Sequence, residues 1–282
     1  MSELRVEDLS VRFGGHLAVS SASLLVQGGQ ITGLIGPNGA GKTTTFNAIC
    51  GVVSPSSGKV LLDGEDISRL RTYKRSRKGI GRTFQRLEVF SSLTVRENIQ
   101  VGLEIRRSWA KGSGDLVQYL TDDQDLSPQA EVDLILNRLD LMPIADHSVS
   151  ALPTGHARLV ELGRALAARP SILLLDEPAS GLDDSETDDF GDLLVTLAAN
   201  GLGILLVEHD VALVMRVCTS LAVLDFGQII ANGSPEEVRS NEAVLNAYLG
   251  STPTSIAGTS TGTAHGEEVG ADIGSSGQGF VS

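Results

Sequence analysis

Cysteines are few, long apolar runs are missing, and basic residues are outnumbered. The 282 residues hold two cysteines, Cys50 and Cys218, far apart and without metal-type spacing. That excludes a disulfide framework and a cysteine metal site, and fits a reducing compartment with both thiols in the core. No apolar run approaches the roughly 18 residues a membrane span requires, so any membrane connection is expected to run through a partner. Met1-Ser2-Glu3-Leu4-Arg5 carries no signal-peptide core, and none is expected. Lys and Arg number 22 against 35 Asp and Glu, a net charge of −13. Nucleic-acid binders usually show a basic balance, so DNA and RNA are disfavoured as main partners. What the chain does have is 41% apolar residues, enough for one large domain or two small ones.

The most informative stretch is Gly36-Pro37-Asn38-Gly39-Ala40-Gly41-Lys42-Thr43-Thr44. The apolar run Ile31–Ile35 leads into it and the helix-capable Thr43–Cys50 leaves it. Strand, glycine loop and helix make a phosphate cradle, and Gly36-x-x-x-x-Gly41-Lys42-Thr43 fits the P-loop pattern in full. Glycines let successive N–H groups face an anion, and the helix N-terminus adds its positive dipole end. Lys42 supplies a mobile charge for the outer phosphates, and the Thr43 hydroxyl can ligate Mg²⁺.

Apolar and polar residues alternate from Leu4 to Phe13, and Leu24-Leu25-Val26 is a second short run. Gly58–Gly64 reads as a strand closed by a turn, so a small sheet is expected beside the P-loop. Arg69 to Arg86 holds eight basic residues and no acid. This reads as a solvated helix face, with partner or lipid-headgroup contact as the alternative. From Thr94 to Leu141 the period is helical, with Val95, Ile99, Leu103 and Ile105 on one face and Val132, Ile135, Leu136 and Leu139 on another. Lys111–Ser127 between them is polar and reads as a loop.

The β/α pattern then returns. His156–Arg169 is a predicted helix stopped by Pro170, followed by the buried strand Ile172–Leu175. Leu193–Ala199 belongs to a helix, Ile204–Val207 is a buried strand, and Val211–Val217 is helical. Leu221–Leu224 and Gln228–Ala231 are strands around a turn, and Pro235–Leu249 is one closing helix. Ser251–Ser282 is rich in Gly, Ser and Thr, cannot bury a core, and is expected to be a disordered tail.

Three further features carry possible chemistry. Ile172–Leu175 ends in Asp176-Glu177, and ligands bind at strand ends of α/β sheets. Asp176 can hold Mg²⁺, and Glu177 can act as a base on an attacking water. A lone Asp-Glu pair is usually a solvated turn, but the upstream P-loop and the four apolar residues before it favour the site. Gln85 can touch metal or water, though by itself it is an ordinary surface residue. His209, beyond the strand Ile204–Val207, can bond a γ-phosphate and hold a water; a lone histidine is more often structural.

In this order, the P-loop, Gln85, Leu152–His156, Asp176-Glu177, Ser180–Asp183 and His209 resemble an ABC-type ATPase across roughly residues 4 to 250. Finer resemblance, to the ATPase subunits of branched-chain amino-acid importers, lies in Phe13-Gly14-Gly15, Gly81–Gln85, Val207–Asp210 with Leu213-Val214-Met215, and Ala231–Gly250. Urea and amide importers look similar. The resemblance implies an α/β fold: a RecA-like P-loop NTPase core, a small antiparallel β-subdomain and a helical insert at about 86–155, all within residues 1–250. It implies ATP and Mg²⁺ as ligands, with Gln85 in the Q-loop and Asp176 and Glu177 as Walker B aspartate and catalytic glutamate. Ser180–Asp183 would be the D-loop, His209 the switch histidine, and Phe13 the aromatic that stacks on adenine.

One stretch departs from the pattern. The family's usual Leu-Ser-Gly-Gly-Gln reads here Leu152-Pro153-Thr154-Gly155-His156. Pro153 removes a serine hydroxyl, while Thr154, Gly155 and His156 can still offer a hydroxyl and backbone N–H groups at a helix start. The resemblance further implies a head-to-tail dimer with a second ATPase subunit, transmembrane permease subunits and, indirectly, a periplasmic or lipid-anchored binding protein. It places the chain on the cytoplasmic face of the membrane. Two other classes fit less well. A soluble DNA-repair or translation ATPase would show a coiled-coil insert or a basic balance, and a non-hydrolysing module would not keep Glu177 and His209.

Overall fold

A computed structural model describes residues 1–83, 87–109 and 126–249. The chain opens with β1 (Glu3–Phe13), β2 (His16–Gln27) and β3 (Ile31–Ile35), followed by α1 (Lys42–Cys50). Next come β4 (Ser57–Leu62), β5 (Glu65–Asp66), α2 (Thr72–Arg77) and β6 (Ile80–Arg82). The helices α3 (Val95–Trp109), α4 (Pro128–Arg138) and α5 (Thr154–Ala167) lead to β7 (Ile172–Asp176). The remainder is α6 (Asp184–Ala199), β8 (Gly203–Val207), α7 (Val211–Val217), β9 (Ser220–Asp225), β10 (Gln228–Gly233), α8 (Pro235–Arg239) and α9 (Glu242–Leu249).

These strands form two sheets. The smaller is antiparallel, in the order β2-β1-β4-β5, and the larger runs β10-β9-β3-β8-β7-β6. All the pairings from β9 to β6 are parallel, and β10 closes one edge as an antiparallel hairpin with β9. The strands β3, β7 and β8 are buried at every position, as expected for parallel strands covered on both faces. Their side chains alternate between two cores. Leu173 and Leu175 of β7 join the helices α3 to α6, while Ile172 and Leu174 join α1 and the small sheet.

Four expectations need correction. Ile105 is 42% exposed while Val95, Ile99 and Leu103 are buried; ten residues beyond Val95, it has rotated off that face at about 100° per residue. The strand around Leu24 is longer than read, running from His16. The closing helix is two helices: α8 ends at Arg239, and the Asn241 side chain accepts from the N–H groups of Ala243 and Val244 to start α9. Last, the basic run is no solvated helix face throughout. Its helix spans only Thr72–Arg77 and buries Arg75 at 1% exposure. The loop expected at Lys111–Ser127 and the tail expected at Ser251–Ser282 lie largely or wholly outside the described residues.

Candidate nucleotide site

Parallel strands release their following loops at one edge, and here that edge gathers the motifs. The P-loop follows β3, Glu208 and His209 follow β8, and Glu177 follows β7, with Leu34 and Asp176 both in register with Val207. The next strand out, β6, ends at Arg82, and Thr83 N–H donates to Leu174 O at 3.0 Å. Gln85 would follow, but it lies outside the described residues.

The P-loop wraps its own lysine. Lys42 is 6% exposed, and its Nζ donates to Gly36 O at 2.7 Å and Pro37 O at 3.0 Å. Burial lowers its pKa, while Glu177 and Asp176 act to raise it. Gly36 has φ 150°, and a Cβ there would collide with the Leu224 carbonyl oxygen, so β9 admits only glycine. Ala40 is buried, whereas Asn38 and Gly39 are exposed. Thr43 is exposed at the first turn of α1, and Thr44 is half-buried.

Asp176 is 5% exposed, and its Oδ1 has no hydrogen-bond partner. Burial, then the neighbouring Glu177 charge, raises its carboxyl to a pKa of about 6. A buried carboxylate oxygen without a donor suits a cation, and the residues present therefore fit Mg²⁺. Glu177 has φ 49°, a conformation that costs a non-glycine residue about 1–3 kcal/mol and clusters at functional sites. Its N–H donates to Val207 O at 2.8 Å, fixing the turn across to β8. Its Oε1 lies 2.6 Å from His209 Nε2; with the proton on Nε2, the ring donates to the carboxylate.

Glu208, which the sequence offers only as part of Val207–Asp210 and without a role, latches these two loops. Its buried carboxylate accepts from Ala179 N–H at 2.8 Å and His209 N–H at 3.0 Å. Burial raises its pKa, and the backbone donors oppose that. Tyr248, part of Ala231–Gly250, likewise carries no expected role at the site. It packs against the core cluster containing Ile35, and a Gly36 backbone hydrogen bond to its hydroxyl acts against the upward push of burial. The Glu208 contacts need β7 and β8 side by side, and the Tyr248 contact needs the last helix returned to the P-loop.

Phe13 ends β1 at 52% exposure, paired with His16. The remaining candidates form a second group. Thr154, Gly155 and His156 open α5, where Pro153 occupies the cap position and supplies no side-chain acceptor. Gly181 backs onto Thr154, and Gly155 packs against the Glu186 carboxylate. Asp183 is committed to a capping box with Glu186, at 2.8 and 3.1 Å. Lys42, Asp176, Glu177 and His209 are thus brought together, and Thr154 to His156 with Asp183 form a separate turn-and-helix unit.

Comparison with known proteins agrees with this arrangement. Residues 19–180 match the ABC transporter family, and residues 228–252 match the branched-chain amino acid ATP-binding cassette transporter family. The chain is 39% identical over 253 residues to the lipopolysaccharide export system ATP-binding protein LptB of Haemophilus influenzae, covering 89% of this chain and 98% of that one. It is 38% identical over 250 residues to the high-affinity branched-chain amino acid transport ATP-binding protein BraF of Pseudomonas aeruginosa, covering 88% and 97%. Among solved structures, the ADP conformation of an ATP-binding cassette of an ABC transporter superposes with a TM-score of 0.75 at 31% identity, covering 89% and 99%.

Proposed function

The chain belongs to the ABC transporter family of ATPases, and on that premise we propose that it is the energy-coupling subunit of an importer for branched-chain amino acids or a related small polar solute. The observation that carries the chemistry is the convergence of Lys42, Asp176 and the Glu177–His209 pair at one sheet edge. The match of residues 228–252 to the branched-chain transporter family favours the solute class. The 39% identity to the lipopolysaccharide export protein favours a second reading, a lipid-export ATPase.

In the proposed mechanism Lys42 and the loop amides from Asn38 to Thr44 bind the β- and γ-phosphates, and Phe13 stacks on adenine. Thr43, Asp176 and Gln85 would hold Mg²⁺, which would neutralise negative charge on the γ-phosphoryl group. Glu177 accepts the proton of the attacking water, and His209 orients Glu177 and the γ-phosphate. The uncapped start of α5 at Thr154, Gly155 and His156, with Asp183, completes the site of a second ATPase subunit in a head-to-tail dimer. A switch from 1:99 to 99:1 between open and closed dimers needs about 5.5 kcal/mol of differential ATP binding; two γ-phosphates held by charged and backbone donors supply interactions of that kind.

Among the described residues no helix is long and apolar enough to cross a membrane. We place the chain peripherally at the cytoplasmic face, on permease subunits, with a binding protein acting indirectly and nucleic acid playing no part. Phe90, 46% exposed and covered at 5.0 Å by Arg164, marks the proposed permease contact. Phe90→Ala is expected to leave ATP affinity unchanged while the permease no longer co-purifies. Full co-purification would move the contact elsewhere. Residues 1–250 are proposed as the ATPase domain with the insert at about 86–155, so cutting after Gly250 is expected to leave ATP binding intact. A large loss of folding in that variant would make the tail part of the domain.

The function is tested by steady-state phosphate release from the purified chain and by its partners in the native complex. Mg²⁺-dependent hydrolysis with two permease subunits and a second ATPase supports the importer. Partners of lipopolysaccharide export would transfer the chain to the second reading.

A further inference from the structure

Arg75 is the buried cation that the nucleotide chemistry leaves unexplained. Its Nη1 donates to Ala48 O at 2.8 Å and Ile49 O at 2.6 Å, its Nε to Leu70 O at 2.9 Å, and its Nη2 to Ser68 O at 2.8 Å. All four acceptors are backbone carbonyls. No ion pair to a carboxylate holds this side chain among the described residues; Asp66 and the Cys50 thiol oppose the lowering of its pKa by burial. A guanidinium taken from water without a salt bridge is tolerated only when its N–H groups are satisfied, and four bonds draw on most of its five donors.

The acceptors define a junction. Ala48 and Ile49 lie in the last turn of α1, where the dipole favours a cation; Ala48 O also accepts from the capping Gly51 N–H at 3.2 Å. Ser68 and Leu70 belong to the segment leaving the small sheet. Arg75 itself is on α2, which feeds β6, the strand before Gln85. The chain makes room for this cation at the end of α1. Gly51 closes the helix at φ 77°, and a Cβ there would lie 2.7 Å from Arg75 Nε and 2.8 Å from Leu70 O.

The helix α1 has nine residues, a stiff rod about 13 Å long. Lys42 and Thr43 stand at its other end. Two directional bonds to the last turn of α1, with two more from the same guanidinium to Ser68 and Leu70, therefore tie that end to the small sheet and fix where the phosphate-binding end points. We propose that Arg75 is a positioning residue for nucleotide binding, a buried guanidinium that locks the P-loop helix to the small sheet and to the strand leading to Gln85. This rests on the proposed ATPase reading of the same site. Lysine cannot replace it, because one ammonium offers three donors from a single point and cannot span a fork of four carbonyls.

The test uses the full chain with Arg75→Lys and, as an independent route to the same disturbance, Gly51→Ala. Steady-state ATP hydrolysis and equilibrium affinity for a fluorescent ATP analogue are measured well below each variant's melting temperature. Lys42 and Thr43 hold phosphate in the ground and transition states alike, so the loss falls on KM. In Arg75→Lys, KM and the analogue's Kd are expected to rise about tenfold while kcat stays within about twofold. Gly51→Ala is expected to shift both constants in the same direction, and it carries the test if Arg75→Lys does not fold. A lowered melting temperature with KM and Kd unchanged in both variants overturns the proposal, leaving Arg75 a structural residue. A wild-type chain that neither binds nor hydrolyses ATP overturns instead the function on which the proposal rests.

Discussion

Glu177→Gln is expected to abolish turnover, leave ATP binding intact and trap a closed dimer. The geometry makes this substitution specific. Glu177 is held by its N–H bond to Val207 O at 2.8 Å and by His209 Nε2 at 2.6 Å from Oε1. Glutamine has the same shape and keeps a hydrogen bond to the imidazole, but it accepts no proton from water. A positioned base contributes about 10²- to 10⁴-fold, so kcat is expected to fall by at least about 100-fold with KM for ATP unchanged or lower. Steady-state phosphate release measures the first effect, and size-exclusion chromatography with ATP the second. Undiminished release would remove Glu177 from the role of base. Loss of nucleotide binding together with turnover would make it a scaffold residue, with its left-handed φ of 49° serving the turn and nothing else.

Asp176→Asn is expected to divide stability from activity. Its Oδ1 is buried without a hydrogen-bond donor, and its pKa is raised from 3.8 to about 6, chiefly by burial. The folded pKa lies above the unfolded one, so protonation favours the native state. The nucleotide-free wild type should therefore lose stability as pH rises from about 4 to about 6 and carry the full cost above that. A rise from 3.8 to about 6 corresponds to an upper bound of about 3 kcal/mol. Asparagine is neutral, so its nucleotide-free form is expected to melt several degrees higher at pH 7 and to lose this pH slope. Mg²⁺-dependent hydrolysis is expected to fall by at least about 100-fold, and added Mg²⁺ with ATP should stabilise the wild type more than the variant. Equal melting curves across pH would refute the burial cost; equal hydrolysis would remove Asp176 from the metal site.

Much of this site was legible because its residues stand in short motifs at strand ends. Gly36–Thr44 and Asp176-Glu177 each follow a run of buried apolar residues, and a parallel sheet brings such ends to one edge. His209 was legible only in that company, since a histidine after a strand has many other uses. The residues that escaped notice act across long sequence separations. Glu208 is buried because Ala179, 29 positions away, donates to it. Arg75 reads as one of a basic run until the fold delivers the carbonyls of Ala48 and Ile49 to it. The break between α8 and α9 was marked by Asn241, but a polar residue in a helical pattern is seldom a cap. Pro153, the evident departure in the sequence, stands at the helix start with no side-chain acceptor of its own, a place where a missing hydroxyl leaves the backbone N–H groups in position.

The account as a whole is tested most directly by transport. The complex purified through a tag on this chain is reconstituted in lipid vesicles with its binding protein, and ATP-dependent accumulation of labelled leucine is measured. Uptake that requires ATP and disappears with Glu177→Gln is the predicted result. Hydrolysis of ATP without uptake of any branched-chain amino acid or related small polar solute, or uptake unchanged by Glu177→Gln, would contradict it.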